Sequence, residues 1–158
     1  MEKRKPTRLK EYDYSVPGAY FVTVCTKDRK ELLSRITVGD DALIVPQNHL
    51  SDYGLICDKY IKNMNVIYEN VSVDKYIIMP NHIHLLMTIH GTMKASSPTK
   101  NIGSIIRSFK TMVTREIGSS IFQRSYHDHI VRNHEDYLSI WQYIEENAAK
   151  WQSDRYFI

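Results

Sequence analysis

The stretch "MPNHIHLLM" (79–87) sets His82 and His84 one residue apart inside an apolar run. On a strand, residues i and i+2 lie about 6.5–7 Å apart on one face, so two imidazoles there can lean onto one ion. Histidine is the commonest metal ligand among side chains. The spacing alone also fits two partly exposed strand histidines, because a metal site needs a third ligand and a reaction needs a nucleophile. A second pair, His127 and His129 in "YHDHIVRNH", has Asp128 between its members and His134 nearby. It is a rival cluster, although a charged residue fills its middle position. Tyr143 and Asn147 stand four apart in "YIEEN". On a helix that spacing stacks a phenol and an amide on one flank, able to serve chemistry or merely to edge a core.

The elements that would hold these groups follow from periodicity. "GAYFVTVCT" (18–26) is rich in β-branched and aromatic residues and reads as a strand. "DALIVPQ" (41–47) reads as one arm of a short hairpin. From 51 to 64, Tyr53, Ile56, Cys57, Tyr60, Ile61 and Met64 fall at helical spacing. "SVDKYIIM" (72–79) and "HIHLLMTIH" (82–90) are two strands joined by the turn-forming Pro80-Asn81. In the second of these, Ile83, Leu85, Met87 and Ile89 share one face and the two histidines the other. A helix is expected over 102–117, a further strand or extended segment over 122–131, and a last helix from about 135 to 151. That last helix carries Tyr137, Ile140, Trp141, Ile144, Ala148 and Trp151 on its apolar stripe, with Tyr143 and Asn147 beside it. This order suggests an α+β fold with an antiparallel sheet, ferredoxin-like in outline. "GTMKASSPTKN" (91–101) reads as a loop.

With 158 residues and 42% hydrophobic content, one domain with a real core is expected without disulfides. No apolar run is long enough to span a membrane, and no apolar stretch backs the N-terminal charges as in a secretory leader. Cys25 and Cys57 lack a C-x-x-C partner and are expected to be buried thiols in a reducing cytoplasm. A net charge of +3 permits an anionic partner, and Lys3, Arg4, Lys5, Arg8 and Lys10 form a basic arm within residues 1–13. Two classes stay open on these features. One is a non-enzymatic single-strand nucleic-acid module using Tyr20 and Phe21 as stacking platforms. The other is a metal hydrolase using activated water, with Tyr143 structural.

Taken together and in order, "PGAYFVTVCT", "MPNHIHLLM", "FQRSYHDHIVRN" and "YIEENAAKW" resemble the single-tyrosine HUH transposases, closest to the REP-associated tyrosine transposases. The resemblance spans roughly Tyr14 to Trp151. It implies one HUH endonuclease-type domain over 1–158 that cuts and rejoins single-stranded hairpin DNA in DNA transposition and recombination. Tyr143 would be the nucleophile, forming a 5′-phosphotyrosine, and His82, His84 and Asn147 would hold Mg²⁺ or Mn²⁺. The site would act within a monomer or be shared in a homodimer, in the cytoplasm with the nucleoid. Lys3, Arg4, Lys5, Arg8, Arg107, Lys110, Gln123, Arg124, His129 and Arg132 are the candidate DNA contacts. One departure is Ala148, where relatives often carry proline; without it the helix is expected to continue.

Overall fold

The computed structural model describes residues 17–37, 45–91 and 101–156. The basic arm (Lys3, Arg4, Lys5 and Arg8 included), most of the 41–47 segment and nearly all of the 91–101 loop lie outside the described residues. Six strands and three helices follow in the order β1 (Gly18–Cys25), β2 (Ser34–Thr37), β3 (Gln47–Leu50), α1 (Asp52–Ile67), β4 (Val71–Ile78), β5 (His82–Ile89), α2 (Ile102–Ile117), β6 (His127–Ile130) and α3 (His134–Glu146).

Four strands form an antiparallel sheet in the order β4-β5-β1-β6. With α1 between β1 and β4, and α2 between β5 and β6, this is the βαββαβ arrangement of a ferredoxin-like fold. The strands alternate as the sequence requires. Tyr20, Val22 and Val24 of β1 join Ile83, Leu85, Met87 and Ile89 of β5 in one core, against Cys57, Ile61 and Met64 of α1 and Ile105, Phe109 and Val113 of α2. The opposite face of the sheet carries Phe21, Thr23 and Cys25 of β1 opposite Leu86, His84 and His82 of β5. There α3 packs through Ile140 and Ile144 onto Leu86. The sheet thus separates an α1/α2 layer from an α3 layer, and the histidines belong to the second.

Local chemistry sets the helix starts. Ser51, Asn101 and Asn133 each accept a backbone N–H from three residues on, at Gly54, Ser104 and Asp136. Gly118, at φ 89°, ends α2 in the left-handed conformation that glycine adopts without strain.

Three expectations need correction. Of the strand or extended segment expected over 122–131, the regular strand is β6 alone, with Phe122 bridged to Thr26. The hairpin near 47 pairs β3 with β2, a strand the sequence pattern did not suggest. The last helix stops at Glu146 instead of running to Trp151, and after the turn at 147–150 a short 3-10 turn spans Trp151–Ser153. No proline or glycine breaks it. Tertiary contacts do: Trp151 is buried with Cys25, Met79 and Tyr156, and Asn147 bonds Asp154.

Among the described glycines, Gly54 is the one against which backbone packs closest. A Cβ there would stand 2.0 Å from the Leu33 carbonyl oxygen, which already accepts the Ser51 N–H. Backbone cannot yield as a side-chain tip can. Gly54→Ala should therefore destabilise the chain by about 1–3 kcal/mol or more, read as a lowered urea midpoint. An unchanged midpoint would mean that α1 can slide away from β2 at no cost.

Candidate active site

His82 and His84 project from β5 with ring centroids 4.5 Å apart. Both are buried, at 0% and 1% exposure, which removes the reading of two partly exposed strand histidines. Their orientation is set by neighbours that reach the other ring nitrogens. The Asn81 amide donates from Nδ2 to the carbonyls of Tyr156 (2.7 Å) and Arg29 (3.3 Å), so its Oδ1 must face His82. Only an acceptor is left for His82 Nδ1, 2.8 Å away, so Nδ1 carries the proton and Nε2 a lone pair. His84 Nδ1 lies 2.8 Å from Thr23 Oγ1, its cross-strand partner in the β1–β5 register. In the tautomer that a metal ligand needs, Nδ1–H donates to Thr23 and the Nε2 lone pair turns inward as well. Backing of a histidine's second nitrogen in this way is how metal-ligating imidazoles are oriented.

A third donor comes from beyond α3. The ligand nitrogens of His82 and His84 and a carboxylate oxygen of Asp154 all lie within 4.8 Å of one another. Asp154 is held by Asn147 Nδ2 (2.9 Å to Oδ2) and by the Tyr156 backbone N–H (2.8 Å to Oδ1). Two buried atoms at this spot, His82 Nε2 and Asn147 Oδ1, lack a hydrogen-bond partner of acceptable geometry. Unpartnered buried acceptors are costly and call for an explanation, which a cation would supply. Two imidazoles, a carboxylate and an amide oxygen suit a divalent ion of borderline or hard character such as Mn²⁺. The residues therefore fit a metal. Asn147, the expected third ligand, is buried beside the group, while Asp154 was not anticipated.

Tyr143 stands 40% exposed on α3, its hydroxyl 3.5 Å from His84 Nε2 at the outer limit of a hydrogen bond. Its ring meets those of His84 and Phe21 at centroid distances of 5.3 and 6.1 Å. Burial and Asp154 push its pKa above the usual 10, with Asn147 and Arg155 pulling the other way. Asp28 and Arg29 adopt left-handed backbone (φ 55° and 53°), unusual for residues with a Cβ, and the Arg29 carbonyl is one of the two that orient Asn81.

The other sequence candidates scatter. Arg107 and Lys110 ride on α2, across the sheet from the histidines, and the Lys110 ammonium donates to the carbonyls of Gln123 (2.8 Å) and Ser125 (3.0 Å). Gln123 Nε2 donates to the Thr26 carbonyl at 3.2 Å, bracing the end of β1. His129 is paired with Asp136 at 2.8 Å, and the Arg132 N–H donates to that carboxylate. Arg124 and Arg132 are exposed. Among the described residues the group with metal-ligand spacing is His82, His84 and Asp154; the rival pair His127 and His129 joins none. Sequence reasoning missed Asp154, Asn81, Thr23, Tyr156 and Arg155. Only Asn81 left a local signal, a polar side chain directly preceding the first histidine.

Burial lowers the pKa of His82 from 6.5 to about 4, against the opposing pull of Asp154 and Asn147. His84 is held well below 6.5 by burial, then by His82 and Arg155. Both are neutral at pH 7, as ligands must be. Between about pH 4 and 6.5 the unfolded chain binds protons that the folded chain refuses, so stability rises with pH across that window. The metal-free chain should thus lose stability as pH falls from 7 to 5. Urea denaturation at the two values checks this; equal stability would mean the imidazoles protonate without leaving the fold.

No family model matches the sequence. A protein of Haemophilus influenzae described only as uncharacterized is 32% identical, covering 98% of this chain and 93% of its own length. A solved structure of a REP-associated tyrosine transposase bound to a REP hairpin superposes with a TM-score of 0.63 at 22% identity, over 90% of this chain and 74% of that one. The chain belongs to the family of the Haemophilus influenzae protein, and its fold is the one found in the REP-associated tyrosine transposase.

Proposed function

We propose that the protein is a metal-dependent single-strand DNA endonuclease and strand-joining transposase that works on hairpin DNA through a 5′-phosphotyrosine. The observation that carries this reading is the convergence of two imidazole nitrogens, a carboxylate and an accessible phenol at one spot. The solved relative in fold was bound to a hairpin, which supports DNA of that kind as the substrate.

In the reaction, Tyr143 Oη forms a bond to phosphorus and the P–O3′ bond breaks. The phenolic proton leaves to solvent and the 3′-oxygen takes one up. The bond energy stays in the ester, so a 3′-hydroxyl can reverse the step without ATP. His82, His84 and Asp154, with Asn147 beside them, would hold Mg²⁺ or Mn²⁺, which when bound polarises the phosphate. Phe21 and His84 wall the phenol on one side and leave it open to a strand on the other. The sheet sets α2 apart from this chemistry, so Arg107 would serve as a contact to paired flanks and not to the cut. Arg124, Arg132 and the basic arm remain candidate phosphate contacts of the same kind.

Tyr143→Phe removes one oxygen from a side chain that packs mainly through its ring. Cleavage of a labelled hairpin with Mn²⁺ and the covalent adduct should both vanish. Hairpin binding should persist, and stability should shift by no more than about 1 kcal/mol. A persisting adduct would move the nucleophile to another tyrosine.

Asp154→Asn keeps the shape but not the charge of the newly found donor. Calorimetry should give Mn²⁺ affinity at least roughly tenfold weaker. Unchanged affinity would return the third position to Asn147 alone.

A further inference from the structure

Two hollows meet at Tyr143. One, of about 490 Å³, lies toward β6 and is lined by Phe21, Thr23, His84, His129 and Ile140. The other, of about 270 Å³, lies toward the chain end and is lined by Asn147, Lys150, Ser153 and Asp154. Two side chains border both: Tyr143 and Arg155. A strand laid from one hollow to the other must pass its backbone between them.

Arg155 is set up for an anion at that point. Its guanidinium carbon lies 5.2 Å from the centre of the Tyr156 ring, and that ring stacks on His82 at 4.4 Å. The Tyr156 carbonyl is one of the two that orient Asn81, so the platform under Arg155 is tied to the histidine pair. Arg29 approaches the same ring at 6.0 Å but borders neither hollow. Among the described residues no carboxylate forms an ion pair with Arg155. The adjacent Asp154 is turned to Asn147 and to the Tyr156 N–H. Arg155 is exposed, and a planar guanidinium resting against an aromatic face is suited to grip phosphate oxygens.

We propose that Arg155 is a further catalytic residue, binding a non-bridging oxygen of the scissile phosphate at the junction of the two hollows. This rests on the reading of Tyr143 as nucleophile. As the Tyr143 Oη–P bond forms and the P–O3′ bond breaks, negative charge grows on the non-bridging oxygens, and Arg155 offsets it while keeping its own protons. The nucleotides on either side of the cut would occupy the two hollows, the larger one with Phe21 as a face for a base.

The test uses the full chain, Mn²⁺ and a labelled single-stranded oligonucleotide that folds into a hairpin with unpaired flanks. Single-turnover adduct formation is measured at saturating DNA, alongside DNA and Mn²⁺ affinities. Removal of one such donor typically costs about 10²–10³ in rate, so Arg155→Ala should slow adduct formation roughly 100-fold. Both affinities should stay within about threefold, and Arg155→Lys should recover at least about tenfold by restoring the charge. An unchanged rate in Arg155→Ala, a loss that lysine does not recover, or a matching fall in Mn²⁺ affinity would overturn the assignment while wild type still forms its adduct. If wild type forms no adduct, the reading of Tyr143 falls and this one with it.

Discussion

Two imidazoles buried side by side on the central strand are an expensive arrangement, and much of the α3 layer is organised around making it possible. Each ring has two nitrogens to satisfy away from bulk water. The outward nitrogens are answered by Asn81 and Thr23. The inward ones are left facing each other's surroundings, with His82 Nε2 unpartnered. Burial then depresses both pKa values, so the rings stay neutral and their lone pairs stay available. The desolvation that costs stability is the same effect that keeps the pair ready as ligands.

The sheet topology explains why this can be done at that place. β5 is an interior strand, paired with β4 on one side and β1 on the other, so its register is fixed twice. That register sets Thr23 opposite His84 and Cys25 opposite His82. Asn81 sits just before β5, where its amide can reach both the loop at Arg29 and the chain end at Tyr156. One side chain therefore couples three distant segments to one imidazole tautomer. Asn147 Nδ2 donates to Asp154, which orders the two oxygen-bearing side chains against each other. Pre-assembly of this kind lowers the ordering cost of binding.

Local periodicity made the strand and helix parts of the site legible. A period of two placed His82 and His84 on one face against Ile83 and Leu85, and a period of 3.6 put Tyr143 and Asn147 on one flank of α3. The βαββαβ order was readable for the same reason. What escaped was non-local. The turn after Glu146 has no proline or glycine to announce it, since the burial of Trp151 and the Asn147–Asp154 bond end the helix. Asp154 stands at no telling distance from either histidine, and only that turn brings it back to them. β2 escaped because "SRIT" is four residues long and barely alternates in burial. Lys110 looked like a free surface charge on its helix, and its carbonyl partners come from a segment more than a dozen residues on.

The division into layers also constrains how a nucleic acid could use the molecule. Both crossover helices cover one sheet face and bury it in the main core. Among the described residues, the other face has α3 and the short chain end over it, and their packing is confined to small clusters around Leu86 and Met79. Between those clusters the face is open along the line from Phe21 to Asn147, where the hollows lie. A duplex is too broad to enter hollows of this size, whereas single unpaired nucleotides are of the right scale. The closed layer thus supplies the stability, and the thinly covered layer leaves room beside the buried imidazoles for an exposed phenol. That asymmetry joins a stable ferredoxin-like core to an accessible face without asking one set of residues to do both.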